Sequence, residues 1–434
     1  MYGHFLLEVS VATLEHIRFV PYRCAVTDGK VDYVPLRRGR EVQALPQIFW
    51  ADHTPWKEAN LWAVERFTRQ AVAIETIESN LRCLASYAAF LEAQNLKWFA
   101  FPIRKEERCL VRYRGALVEA RNDGLISPST ATMRMRQVIH FYRWVQARGL
   151  FSPASPIWRD RIVYIRYFDS VGFERTLARL TTDLAIPNRT RPGERLEDGL
   201  LPVSATDRDA ILDFARENAT PELFRILSLG FFAGLRLGTI CDLRVETLER
   251  AVPDPLAPGL YRLAVGPGAS PPVHTKFAVT GQIWIPQPLL DDLREYAGSV
   301  RRLMREARAT QEDRNLLFLT RFGNGYGRRG SDRSAAVNVE MSSLRRAGMR
   351  DGLGVLRHFH MHQTRCTFAT ELARLAIAAG GAVNAVAIVK DALLHRDEAT
   401  SFRYIRFLEK TSARQAAASA FMAAFTGIVN QSTS

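Results

Sequence analysis

The chain has 434 residues, of which 47% are hydrophobic and 24% charged, with a formal net charge of +14. That length supports two or three domains, each with its own core, and the composition excludes a generally disordered chain. No uninterrupted apolar run approaches the ~18 residues of a membrane span. The start, MYGHFLLEVSVATLEHIRF, has neither a basic leader nor a small-residue cleavage site, so no signal peptide is expected. Five scattered cysteines (Cys24, Cys83, Cys109, Cys241, Cys366) form no CxxC pair. They fit free thiols in a reducing bacterial cytoplasm, not a disulfide frame or a zinc site. The basic excess points to a polyanionic partner. Because the arginines are spread along the chain and not gathered on one amphipathic helix, nucleic acid is favoured over a membrane surface.

The first ~50 residues alternate as strands do, and HIRFVPYRCAV, a TDGK turn and VDYVPLRR predict a hairpin around Asp28-Gly29. Residues 1–53 are expected to form a small β-rich appendage. A helical segment over 54–151 follows, with Thr54-Pro55 as N-cap and first helical position. Ile77, Leu81, Leu84, Ala88 and Leu91 make one amphipathic stripe. Ser127-Pro128 opens another helix, which Gly149 ends. On it Arg134, Arg136, Arg143 and Arg148 interleave with Met135, Val138, Tyr142 and Val145. Each arginine alone reads as a solvated face; together they suit a helical surface for DNA phosphates.

Prolines and polar residues over 152–205 predict an exposed connector. From Thr206-Asp207 a mostly helical domain begins, interrupted by a strand-like interval from Leu260 to Pro286 and continuing to about 411. Beyond it, 412–434 is Ala-rich and reads as a helical tail. The fold class expected is mainly α with a small β-sheet in the second domain, that is α+β.

Four segments of the second half carry the chemistry: AGLRLGTICDLR with Arg236, PPVHTKFAVTGQIWIP with Lys276, HFHMHQTRCTFATELA with His362 and Arg365, and LLHRDEATSFRYI with His395 and Tyr404. His362 and Arg365 are three apart and share a helix face. The order Arg, Lys, His-x-x-Arg, His, Tyr resembles the catalytic domain of the tyrosine recombinases, the phage integrase family. GLRLGTICDLR resembles that family's first arginine box, HQTRCTFATELA its His-x-x-Arg box, and LLHRDEATSFRYI its final box with the usual nine-residue step from histidine to tyrosine. The resemblance covers about 206–410. The helical segment of 54–151 resembles the family's core-binding domain.

The resemblance implies a site-specific DNA recombinase whose nucleophile is Tyr404, acting through a 3′-phosphotyrosyl link without metal or other cofactor. It also implies a tetramer on double-stranded DNA that exchanges strands through a Holliday junction, with the C-terminal tail docked on a neighbouring subunit. The physical requirements agree. Cleaving a phosphodiester without metal needs an in-line nucleophile, cations on the equatorial oxygens, an acid for the leaving 5′-oxygen and a base. Arg236 and Arg365 suit the second task, since a guanidinium fork binds two phosphate oxygens. Lys276 suits the acid role because lysine can release a proton; it is the only lysine between Lys105 and Lys390. Its alternative is a surface strand charge, and its interval to IWIP is longer than the resemblance implies. His362 would exchange the tyrosine's proton and His395 would hydrogen-bond the phosphate or leaving oxygen. Thr239 stands where the family often has an acid, and Cys366 where it often has histidine.

Rival readings exist. His358, His360 and His362 alternate and would line one strand face as a metal site, but the residues that follow read as helix. GYGRRG (Gly325 to Gly330) matches GxGxxG literally but lacks a βαβ setting and reads as a turn. A type IB topoisomerase-like enzyme and a non-catalytic DNA-binding protein of the same fold are the functional alternatives. The N-terminal extension favours a mobile-element enzyme with accessory sites or an accessory protein partner. No membrane partner is expected.

Overall fold

The computed structural model describes residues 11–36, 41–69, 72–153, 155–168, 174–188, 196, 199–328 and 333–411. Its elements are mainly helices, with small antiparallel sheets of two or three strands. The chain divides into two units, Met1–Pro192 and Gly193–Ser434.

The first unit opens with four strands, β1 (Thr13–Phe19), β2 (Tyr22–Thr27), β3 (Lys30–Pro35) and β4 (Val42–Phe49). β2 and β3 form the expected hairpin, and Asp28 and Gly29 both take positive φ, 51° and 76°, as a tight two-residue turn requires. β1 instead pairs with β4 across that hairpin. Four helices follow: α1 (Lys57–Thr68), α2 (Ile74–Ala93), α3 (Cys109–Asn122) and α4 (Pro128–Ala147). The stripe Ile77, Leu81, Leu84, Ala88 and Leu91 is buried as its period predicts, and so are Met135, Val138, Tyr142 and Val145 of α4. Ser127 caps α4 by accepting from the Thr130 N–H at 3.1 Å. Gly149, at φ 66°, follows its end.

Three expectations need correction here. Thr54-Pro55 does not cap α1. The Thr54 N–H and hydroxyl turn back to Asp52 Oδ1 (2.9 and 2.6 Å), Pro55 bridges Phe49, and the Trp56 N–H donates to the Ile48 carbonyl at 2.9 Å. The helix starts at Lys57 because β4 claims the backbone before it. Nor do β1 and β4 stand apart from the helices, although the β2–β3 hairpin is exposed. Ile48 joins the helical core, the Asn60 amide brackets the Ile48 peptide (2.7 and 3.0 Å), and Glu92 of α2 accepts from the N–H groups of Ala12 and Ala51. The expected connector also contains structure: β5 (Asp160–Phe168) and β6 (Glu174–Thr182) pair over nine residues, and Leu184 and Ile186 after them pack into the same core.

The second unit is built from α5 (Ala205–Asn218), α6 (Pro221–Ala233), α7 (Leu237–Cys241), α8 (Val245–Glu249), β7 (Val252–Pro253), β8 (Leu260–Val265), β9 (Gly281–Pro286), α9 (Gln287–Gly298), α10 (Val300–Glu306), α11 (Ala335–Arg350), α12 (Met361–Leu393) and a last helix over 398–411. The strands form one small sheet in the order β7-β8-β9; β8 and β9 fall within the interval expected to be strand-like, and β7 precedes it. α6 is the central helix. Thr220 caps it and Pro221 is its first residue, and Leu223, Ile226, Leu227, Leu229 and Phe231 are all buried. α12 is long and apolar enough by length and composition to cross a membrane. It is interrupted at Gly381 (φ 78°, ψ 170°), and its first half buries Thr364, Cys366, Ala369 and Ala373 in the protein.

α6 and α12 approach closely because Gly230 has no side chain. A Cβ there would overlap Thr364 Oγ1 and press on Met361. Gly230→Ala is therefore expected to destabilise the second unit by about 1–3 kcal/mol in urea unfolding, the usual cost of overpacking a core.

Asp254 ties the small sheet together. Its carboxylate accepts from Arg262 Nε on β8 at 2.7 Å and from the Trp284 indole N–H on β9 at 3.0 Å. The Arg262 hydrogen bond, with the Leu256 N–H, holds its carboxyl down at about 2. A depressed carboxyl stabilises the fold above its unfolded value and loses that contribution on protonation. Stability from this link is thus expected to fall between about pH 4 and pH 2. A thermal denaturation series should show that acid limb shallower in Asp254→Asn.

Candidate catalytic cleft

α6 ends at Gly234, whose left-handed φ of 64° turns the chain toward α7. A side chain there would collide with Phe368 and Leu393, so both conformation and space demand glycine. The turn places Arg236, half-buried, immediately before α7. Arg365 comes from the first turns of α12 and is 3% exposed. Its guanidinium donates Nη1–H to the Gly234 carbonyl at 2.6 Å and Nη2–H to the Leu393 carbonyl at 2.9 Å. It thereby joins the end of α6 to both ends of α12. Two of its five N–H donors are committed to these carbonyls.

Lys276 lies in the connection between β8 and β9, in a short 3-10 turn and not on a strand. Phe277 and Ala278 after it have positive φ (65° and 54°), and its ammonium lies 5.6 Å from the Phe277 ring centre. The loop is anchored two residues earlier: Asp242 Oδ2, just after α7, accepts from the His274 N–H at 2.6 Å. Thr275 closes the turn by donating to the Val279 carbonyl at 2.6 Å. Arg236, Lys276 and Arg365 line one small cleft with Gly234, Thr239, Thr275 and Leu393.

Leu394 also lines this cleft and takes a left-handed φ of 51° at the end of α12. His395 follows, with its backbone N–H on the Lys390 carbonyl at 3.0 Å and its side chain 5% exposed. Its Nδ1 is 2.8 Å from the hydroxyl of fully buried Ser401. That contact fixes the ring plane; if Ser401 donates, Nε2 carries the proton and can donate to an anion. The Tyr404 ring lies parallel to the imidazole, with centres 6.2 Å apart and 9° between planes. Tyr404 is fully buried, among Cys366, Ala369, Ala373 and Ile405, and its hydroxyl is 4.0 Å from Cys366 Sγ.

The structure thus gathers three of the six expected residues at one cleft and stacks two more beside its rim. His362 sits half-buried in the first turn of α12 and does not line the cleft. The three alternating histidines share no strand face: His358 ends a 3-10 turn, His360 caps α12 and His362 lies within it. In GYGRRG, Gly325 bridges Leu319 around a turn, while Gly330 lies outside the described residues, as does the tail 412–434. Sequence reasoning missed Asp242 and Ser401. Both stand inside the quoted boxes, but nothing local marks a carboxylate that anchors a loop or a serine that orients an imidazole.

In the first unit, the α4 candidates differ among themselves. Arg136 is exposed and Arg134 half-buried. Arg143 is not a free phosphate ligand: it pairs with Asp160 at 2.8 Å and lies over the Trp158 ring.

No family model matches the sequence, and no curated protein matches it. Among solved structures the chain is similar to the Tn1549 transposon integrase in complex with transposon right end DNA, with 13% identity over 80% of this chain and 94% of that one and a TM-score of 0.48. It is similar to a lambda integrase dimer bound to a COC′ core site, at 13% identity, 80% and 76% coverage and a TM-score of 0.47. A lambda integrase tetramer bound to a Holliday junction gives 13%, 79% and 76%, and 0.42.

Proposed function

We propose that this protein is a site-specific DNA recombinase that cleaves and rejoins strands through Tyr404. The observation that carries this reading is the convergence of Arg236, Lys276 and Arg365 from three separate elements on one cleft, with His395 and Tyr404 stacked next to it. Two guanidiniums and one ammonium suit a pentacoordinate phosphate, where fixed cations act most strongly on the charge that develops. The Tyr404 oxygen attacks phosphorus and the bond to the 5′-oxygen breaks. Lys276 delivers a proton to that oxygen, and His362 accepts the one released by the phenol. The 3′-phosphotyrosyl ester retains the bond energy, so attack by a 5′-hydroxyl reseals DNA without a nucleotide cofactor.

Burial of Tyr404 means that this reaction requires the helix over 398–411 to shift its tyrosine toward the cleft. His362 must also approach the phenol. Binding of DNA phosphate among the arginines would supply the energy for the shift, as differential affinity for one of two states does. In this reading the active form is a tetramer on two double-stranded sites belonging to a mobile element, with strands exchanged through a Holliday junction.

A nicked suicide substrate carrying the ends of the element, incubated without added metal, tests the proposal. A covalent protein–DNA adduct on a denaturing gel is the expected outcome. Tight DNA binding without an adduct, on substrates where the scissile strand cannot religate, would leave a non-catalytic binding protein. Relaxation of plasmids that carry no recognition site would instead indicate a topoisomerase.

A further inference from the structure

The β5–β6 ribbon was expected to be connector, and nothing in the proposed reaction uses it. Its nine residue pairs run without a bulge from Asp160↔Thr182 to Phe168↔Glu174. At about 3.3 Å per residue such a ribbon is about 30 Å long. Both faces are open where its side chains are described: Ile162, Val163, Tyr164 and Leu180 are 60, 47, 67 and 54% exposed. A ribbon that displays apolar side chains on both faces needs a reason for it.

The charges at the ribbon suggest one. Register places Arg161 opposite Thr181 and Arg179 opposite Val163, so both arginines share one face. The acids at the ribbon's base are occupied: Asp160 holds Arg143 at 2.8 Å, and Asp183 holds Lys105 at 2.8 Å and the Arg159 N–H at 3.0 Å. Arg161 adds to the field on Asp183 from further off. Arg179 on β6 bears on His140 of α4 together with Arg136 and Arg143 of the same helix and Arg66 of α1. Although that imidazole keeps a solvent-facing edge, partial withdrawal from water and then these four guanidiniums hold it below the usual histidine range. Arg66, stacked on Trp62 from α1, has a buried Nε without a hydrogen-bond partner among the described residues. Four cations from three elements therefore converge on one side of the first unit, where, among the described residues, Asp160 pairs with Arg143. A polyanion is the matching occupant.

We propose that the β5–β6 ribbon is a DNA-binding element in its own right, laid along the backbone of duplex DNA with Arg161 and Arg179 toward phosphates. The proposal rests on the reading of the protein as DNA-acting. A two-stranded ribbon fits the width of the major groove. Seated in that groove, the apolar face with Ile162, Tyr164 and Leu180 meets thymine methyls on its floor, Arg161 and Arg179 on the other face reach back to the phosphates along its walls, and the Arg179 side continues into the α4 surface.

The test compares the full-length protein with the double variant Arg161→Ala/Arg179→Ala on a duplex of unrelated sequence over a range of salt concentrations. Removing one arginine from a phosphate lowers the slope of log K against log salt by about 1, so the double variant should lose about 2 units of slope, with unchanged circular dichroism. Arg179→Glu should weaken binding further. At saturating protein, the Tyr404 adduct on nicked substrate should still form in both variants, because the cleft is intact. If the protein binds duplex with the same slope and affinity in all three forms, the ribbon is not a DNA element, while the recombinase reading stands. If even the unaltered protein binds no duplex at low salt, both fall together.

Discussion

Tyr404→Phe should abolish the covalent adduct completely while leaving the protein folded. The side chain is fully buried and its ring supplies the packing, against Cys366, Ala369 and Ala373 and parallel to His395. Phenylalanine keeps that ring. The hydroxyl it removes lies 4.0 Å from Cys366 Sγ, a contact weaker than the ~1 kcal/mol of a normal hydrogen bond. A melting temperature within a few degrees of the unaltered protein is expected, with adduct yield at background on the nicked substrate. A folded Tyr404→Phe variant that still formed a phosphotyrosyl ester would place the nucleophile elsewhere. A Tyr404 with only a core role predicts the opposite pattern, unchanged DNA chemistry.

Arg365→Ala carries the second large effect, on stability and chemistry together. Removing the guanidinium leaves the Gly234 and Leu393 carbonyls without their donors in a buried place, and an unsatisfied buried acceptor costs about 1–3 kcal/mol. The cavity adds to this, so a loss of about 3–5 kcal/mol in urea unfolding is expected. Arg365→Lys keeps a charge but cannot span two carbonyls at once, and should lie between. Arg236→Ala separates the two effects. Arg236 is only half-buried and its backbone, not its side chain, accepts the first hydrogen bond of α7, from Ile240 N–H at 3.0 Å. Being more exposed than Arg365, its loss should cost less stability than that of Arg365, yet lower single-turnover adduct formation by about 10²-fold or more, as removal of a preorganised charge does. Wild-type cleavage by folded Arg236→Ala would remove the phosphate-clamp role from this cleft.

Much of the local structure was legible in the amino-acid order, because its causes are local. Asp28-Gly29 makes a tight turn since both residues tolerate positive φ, Ser127 caps α4 through its own hydroxyl, and a 3.6-residue apolar period buries Ile77 through Leu91 whatever lies opposite. The set Arg236, Lys276, His362, Arg365, His395 and Tyr404 was nameable through the resemblance of four segments to the boxes of a known family, which gives residues in order but not their places in space. What depended on partners distant in the chain was not. Thr54-Pro55 carries a sound cap signal, but β4 takes the Trp56 N–H and the helix starts later. The N-terminal strands look separable until Ile48 of β4 enters the helical core, and the stretch read as an exposed connector carries nine residue pairs that close β5 on β6. Only the tertiary structure brings Arg236, Lys276 and Arg365 to one cleft while burying Tyr404 against Cys366. Sequence spacing specifies which face of an element a residue occupies, whereas depth and neighbours follow from how the elements pack, and packing is a property of the whole chain.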